Sequence, residues 1–183
     1  MRDMMNGHAA ETCVEPVTRL SSQELAQLVE ATEQAIADKA TNWTRSPGKS
    51  PLESFWKGIL LAPHRDLFVA RFEKRVVGAL QLIRPGPLAE TGAFSGELAG
   101  FFVAPHARGH SLARRLIEAG EARARGYGLK TLDFSIRADR QAALGLAAAL
   151  GFQRWAVKSH FAFVDGRFVA GYFFTKELTP GPE

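Results

Sequence analysis

The chain has 183 residues and a formal net charge of +4, with 46% apolar and 23% charged residues, which fits one ordinary globular domain and excludes a disordered or fibrous chain. The mild positive charge favours an anionic ligand without demanding nucleic acid, and the lone cysteine, Cys13, excludes an internal disulfide and suits a reducing compartment. The methionine-rich start lacks the apolar run of a signal peptide, and no stretch nears the roughly 20 apolar residues of a membrane span, so a cytoplasmic protein without membrane contact is expected.

Residues 1–11 are polar and read as a disordered tail, with a single domain over 12–178 and a second short tail over 179–183. Thr12 to Leu20 reads as a first strand. Ser21 with Glu24 three residues on has the form of a capping box. Leu25, Leu28, Val29 and Ile36 continue it as an amphipathic helix to about Asp38. The loop that follows holds Gly48-Lys49-Ser50, but Trp43 occupies the place of a P-loop's first glycine and no strand precedes it. A second helix is expected from Pro51 to about Ala62. Asp66–Phe72 and Val76–Ile83 read as strands about a turn at Glu73-Lys74-Arg75. Residues 84–93, with two prolines and two glycines, form a loop before a strand over Phe94–Val103. A helix then runs from Arg108 to about Arg125, stopped by Gly126 and Gly128. Thr131–Ile136 is the next strand. Asp139 is a candidate cap for a helix over Arg140–Leu150. Gln153–Val164 and Phe168–Thr175 form a closing hairpin about Asp165-Gly166. Strands in meander around two strand–helix units predict a mixed α/β sheet with helices on both faces.

Within this order the segment from Gly96 to Ala113 carries the most chemistry. An apolar strand ends at Val103, Pro105 follows, and a small-residue turn opens a helix with Arg114 and Arg115 in its first turns. Such a turn offers free backbone N–H groups and the positive end of a helix dipole, which is a site for phosphate.

The element order, the V-x-P-x-x-R-G-x-S-x-A segment over residues 103–113, and Leu150-Gly151-Phe152 after a helix resemble the GNAT acyltransferase superfamily. The likeness is concentrated over residues 94–152. It implies a mixed, mostly antiparallel central sheet of six to seven strands flanked by about four helices. It also implies acetyl-CoA as co-substrate, with the coenzyme A pyrophosphate on Arg108, Gly109, His110, Ser111, Leu112 and Ala113. Ser111 stands where the family usually has glycine, and serine keeps its N–H and adds a hydroxyl. The resemblance further implies that the backbone of Phe101, Phe102 and Val103 pairs with the pantetheine arm, and that a β-bulge near Gly100 splays the strand to admit it.

Acyl transfer to an amine needs a proton acceptor, a donor for the carbonyl oxygen and a way for the thiolate to leave. Glu97 is the candidate catalytic base, because residues 97, 99, 101 and 103 share one face of the strand, subject to the bulge; a solvated glutamate at a strand start is the equal alternative. A backbone N–H near Val103 is the candidate carbonyl donor. The family's tyrosine acid has no counterpart, since its position is Ala147, and the asparagine that often opens that helix is Arg140. The five histidines do not cluster with Cys, Asp or Glu at ligand spacing, so no metal is expected. Trp43, Trp56 and the loop over 84–95 are the candidate acceptor-side elements, Trp56 reading more as core, and His160 on the hairpin is a weaker candidate.

The leading expectation is an acetyl-CoA-dependent N-acetyltransferase acting on a primary amine of a small molecule or protein. The alternative is a non-catalytic acyl-CoA-binding sensor or interaction domain. No nucleic-acid partner is expected, because the arginines at 108, 114, 115, 123 and 125 share their helix region with Glu118 and Glu121 and lack a stacking platform. Phe161, Phe163, Phe168, Phe173 and Phe174 exceed what one sheet face buries and suggest a homodimer interface.

Overall fold

Alternating and 3.6-residue apolar patterns resolve into seven strands and four α-helices in a computed structural model describing residues 10–178. Residues 1–9 and 179–183, most of the two expected tails, lie outside the described residues. In chain order the elements are β1 (Thr12–Val17), α1 (Ser22–Ala37), α2 (Lys49–Leu61), β2 (Arg65–Phe72), β3 (Arg75–Ile83), β4 (Ser95–Val103), α3 (Leu112–Gly126), β5 (Thr131–Arg137), α4 (Gln141–Ala149), β6 (Gln153–Val164) and β7 (Arg167–Glu177). One sheet holds all seven strands in the order β1-β2-β3-β4-β5-β7-β6. Among the described residues its only parallel pair is β4 with β5, joined by the α3 crossover, and every other pair is antiparallel.

Several boundaries depart from the sequence reading for local reasons. β1 ends at Val17, not Leu20. The β2–β3 turn is Glu73-Lys74, both at positive φ, and Arg75 already pairs with Phe72. α3 begins at Leu112 rather than Arg108, because a single 3-10 turn over Pro105–Ala107 and the left-handed Gly109 and Ser111 intervene. Asp139 does not cap α4. Arg140 is the cap residue, and the Asp139 carboxylate accepts from the Arg137 guanidinium at 2.9 and 3.1 Å instead.

Helices α1 and α2 cover one face of the sheet and α3 the other. The capping box of Ser21 and Glu24 starts α1, as its sequence predicts. Trp56 of α2 is buried against Phe102, and its indole N–H donates to Thr32 of α1 at 3.1 Å. On the opposite face Gly120 of α3 sits against Leu80 and Leu98.

Strand β4 is bulged. Ala79 faces Phe102 while Gln81 faces Ala99, so Leu80 opposes both Gly100 and Phe101. Gly100 has φ of +61°, which a residue without Cβ adopts freely. The extra residue shifts the alternation. Glu97, Ala99 and then Phe102, rather than Phe101 and Val103, share the α2-side face, so the bulge expected near Gly100 interrupts the series of 97, 99, 101 and 103. Beyond the bulge β4 parts from β5. Their pairing stops at Leu98 and Phe134, and the Phe101 ring packs edge-on against Phe134 at 5.9 Å to prop the wedge open.

At the far edge, the β6–β7 hairpin buries Phe174 in the core, while Phe163 and Phe168 remain 61% and 59% exposed. Part of the aromatic surplus is therefore absorbed by the domain itself. The hairpin turn reaches back to the end of α1, where Lys39 Nζ meets the Asp165 carboxylate at 2.6 Å.

Candidate active site

The wedge between β4 and β5 opens on both sides of the sheet. One side is a groove of about 400 Å³ bounded by Phe101, Phe102 and Val103, by Arg108 and Ala113, and by the start of α4. The other is a cavity of about 450 Å³ under α2, walled by Trp43, Phe55 and Trp56, with Arg65, Gln81 and Glu97 on its floor. Phe101, Phe102 and Arg140 line both. Alternation about the Ala104 N–H, which bonds Val77 O at 2.7 Å, turns the peptide groups of Phe101 and Val103 away from β3 and into the wedge.

The turn before α3 offers an anion its backbone N–H groups rather than its side chains. Among the described residues, the N–H groups of Gly109, His110, Ser111, Leu112, Ala113 and Arg114 bond no acceptor, whereas Arg108 N–H reaches Pro105 O and Arg115 N–H reaches Ser111 O. Left-handed conformations at Gly109 (φ +84°) and Ser111 (φ +57°) curl these amides toward a common side. The value at Ser111 gives the reason glycine suits that position. Leu112 anchors the helix in the core and Ala113 faces the groove. The side chains are engaged elsewhere. Arg108 bonds Asp38 at 2.6 Å, Arg114 pairs with Glu118, Arg115 donates to Thr12 at 2.9 Å, and the His110 ring packs on Phe72 at 4.6 Å. Six unsatisfied amides at the head of a 15-residue helix fit a pyrophosphate.

Glu97 projects into the cavity in register with Ile83 on one side and Asp133 on the other. Although the side chain stays open to solvent, partial enclosure by the cavity raises its pKa above the usual carboxylate value, the Asp133 carboxylate raises it further, and the Arg65 guanidinium opposes both. Arg140 stands where groove and cavity meet. Burial, then repulsion from Arg137, pulls its pKa down to about 10, with Arg108 adding to the repulsion and Asp139 opposing it. Ala147, at the family's tyrosine position, is wholly buried and offers no donor. Arg137 is buried too. It donates to Thr41 O and Lys39 O, each at 3.1 Å, and so pins the segment leading to Trp43 over the cavity.

Two elements singled out in the sequence lie apart from the cavity, and a third is part of its wall. The loop over 84–95 contributes nothing to its lining and His160 stacks on Phe168 of the hairpin, whereas Trp56 is core that also forms a wall. Trp43 does line it, edge-on to Phe55 at 4.9 Å. Arg65 and Gln81 were not singled out. Gln81 carries a signal, being a polar residue inside the apolar run of β3. Among the described residues no three of His, Cys, Asp and Glu gather to hold a metal, and no helix is long and apolar enough to cross a membrane.

Comparison with known proteins identifies the fold and the family. An uncharacterised N-acetyltransferase of Azospirillum brasilense, encoded in the hisH–hisA intergenic region, is 37% identical over 128 residues, 69% of this chain and 76% of that protein. The fold is similar to that of an N-acetyltransferase from Staphylococcus aureus Mu50, with a TM-score of 0.78 at 16% identity over 92% of this chain and 99% of that one. It is also similar to a Salmonella typhimurium protein, described as an acetyltransferase and solved with its cofactor acetyl-CoA, with a TM-score of 0.73 at 18% identity over 94% and 96% of the two chains. The acetyltransferase (GNAT) family model matches residues 28–152, a span that takes in the wedge, the amide turn and both cavities, and the chain belongs to that family.

Proposed function

We propose that the protein is an acetyl-CoA-dependent N-acetyltransferase that moves the acetyl group to a primary amine by direct attack in a ternary complex. The observation that carries this reading is the wedge: a groove with six free amides at one end opens, past Phe101 and Phe102, into a separate cavity holding a carboxylate. Acetyl-CoA supplies an activated acetyl thioester when bound. The amides of residues 109–114 take its pyrophosphate, and the peptide groups of Phe101 and Val103 bind the pantetheine arm as an added strand. A N–H of that pair is then placed to polarise the carbonyl oxygen. Glu97 accepts the proton of the attacking amine. Its raised pKa makes it a stronger base than an ordinary carboxylate. Arg140, at the junction of groove and cavity, supplies positive charge near the departing sulfur in place of the absent tyrosine. Holding both reactants in one enclosure contributes much of the rate.

Ala147 in place of the family's acid favours a second reading, an acyl-CoA-binding domain without turnover. Calorimetric titration of acetyl-CoA into the wild type and into the Arg108→Ala, Ser111→Glu double variant tests the shared premise. Binding by the wild type and its loss in the variant is expected; no binding by the wild type overturns both readings. Turnover lost in Glu97→Gln with cofactor affinity retained then selects the enzyme.

A further inference from the structure

The floor of the acceptor cavity carries two guanidinium groups, Arg65 and Arg140, against the single carboxylate of Glu97. Among the described residues neither arginine has an acidic partner within ion-pair distance. The carboxylate nearest Arg65 in sequence, Asp66, is taken by Arg84 at 3.0 Å, Arg123 at 3.3 Å and the Tyr127 hydroxyl at 2.9 Å. Arg65 instead donates to a neutral group, the side-chain oxygen of Gln81, at 2.7 Å.

Gln81 is itself 2% exposed. Because Arg65 can only donate, this bond fixes the amide with Oε1 toward Arg65 and Nε2 toward Gly100. The two N–H groups on Nε2 bond no acceptor among the described residues, and the residue lines the cavity. The remaining Arg65 donors and the Gln81 amide thus stand side by side, which is a fork for a planar anion. Glu97 lies in the same row of the sheet, since Arg65 pairs with Ile83 and Ile83 with Glu97. Two strand spacings, about 10 Å of backbone, separate the fork from the base, and long side chains on both narrow that gap.

We infer that the acceptor is a small amino-carboxylate: its anion rests on Arg65 and Gln81, its amine faces Glu97, and an apolar body lies on Trp43 and Phe55. This rests on the acetyltransferase reading of the site and adds the acceptor's class to it. A neutral amine leaves the fork empty, and a polycationic acceptor meets two guanidinium groups. A cavity of about 450 Å³ is in the range of small-ligand pockets.

The test measures coenzyme A release with the twenty common L-amino acids and their carboxamides, in matched pairs, alongside calorimetric binding of acetyl-CoA to the same preparations. At least one acid is expected to exceed its amide 30-fold or more in kcat/KM. In Arg65→Gln that ratio falls toward one, through a 10- to 100-fold rise in the acid's KM, while acetyl-CoA affinity stays within twofold and so reports an intact fold. Arg65→Lys retains part of the preference. Amides turned over as well as their acids overturn the inference, as does turnover of no acid by a preparation that binds acetyl-CoA. Failure to bind acetyl-CoA removes the acetyltransferase reading and the inference with it.

Discussion

Gly100→Ala probes the bulge on which both cavities depend. The backbone there has φ of +61°, a conformation that costs a residue with a Cβ about 1–2 kcal/mol. The new methyl would also overlap Nε2 of Gln81. That amide is buried and held by Arg65, so moving aside breaks the Gln81–Arg65 bond. A hydrogen bond to a charged group contributes about 1.5–3 kcal/mol, reduced here to about 1 because Arg65 regains water. The sum is a loss of about 2–3 kcal/mol. Urea unfolding followed by tryptophan fluorescence measures it. In a Gln81→Ala background only the dihedral part remains, so Gly100→Ala then costs about 1–2 kcal/mol and the two sites couple by about 1 kcal/mol. Gly100→Asn separates the same two parts, since Asn tolerates the left-handed backbone but carries the Cβ. Equal costs in the two backgrounds would refute the steric argument, and a cost below about 0.5 kcal/mol would refute the strain as well.

Glu97 and Glu121 make further predictions. As a base Glu97 must be ionised, so kcat rises with pH through its raised pKa and levels off above it. In Glu97→Gln that limb disappears and kcat falls by about 10²–10⁴. The raised value also means that native Glu97 holds its proton at a pH where the unfolded chain has released it. Its contribution to stability is therefore present below the usual glutamate pKa and lost as pH climbs through the native one. Urea midpoints at neutral pH should accordingly be higher for Glu97→Gln than for the wild type, and should lose that advantage in acid. Glu121 is 4% exposed and accepts from Lys176 at 2.7 and 2.8 Å and from Arg125 at 3.1 Å. Glu121→Ala leaves Lys176 without its counter-ion against the Phe152 ring and is expected to cost about 3 kcal/mol in urea unfolding. A Glu121→Gln, Lys176→Met double variant should recover most of that loss.

The parts legible in the sequence are those that depend on neighbours along the chain. Apolar periodicity locates every helix and strand, Ser21 with Glu24 announces α1, and the small residues at 109, 111 and 113 announce the amide turn. The departures lie where distant partners decide. Asp139 has the composition of a cap, but the buried Arg137 guanidinium needs its carboxylate more than α4 needs a cap. Arg108 reads as part of the phosphate turn, and its pairing with Asp38, seventy residues earlier, is set by the fold and not by its neighbours in sequence. Parity along β4 fails at one residue, because a bulge inserts a position that alternation cannot count. Arg65 and Gln81 are unremarkable singly and become a pair only through the β2–β3 register.

On the proposed function, the same bulge lets one strand serve both reactants. Before it, β4 must pair with β5 to support Glu97 on a rigid row, and it does so through Leu98. After it, β4 must leave its peptide groups free for an added strand, so the pairing has to end. A straight strand would continue the ladder and close the wedge, and a loop would free the peptides without fixing Glu97. Inserting Gly100 separates the two requirements by the shortest possible length of chain. The amide end of Gln81 occupies the space that a side chain at Gly100 would need, so the device that parts the strands also orients the proposed anion fork. The loss of unfolding free energy in Gly100→Ala and the loss of acid-over-amide preference in Arg65→Gln therefore report on one structure. On this argument Gly100→Ala, in whatever fraction remains folded, should weaken the preference for carboxylate acceptors as well as the affinity for acetyl-CoA.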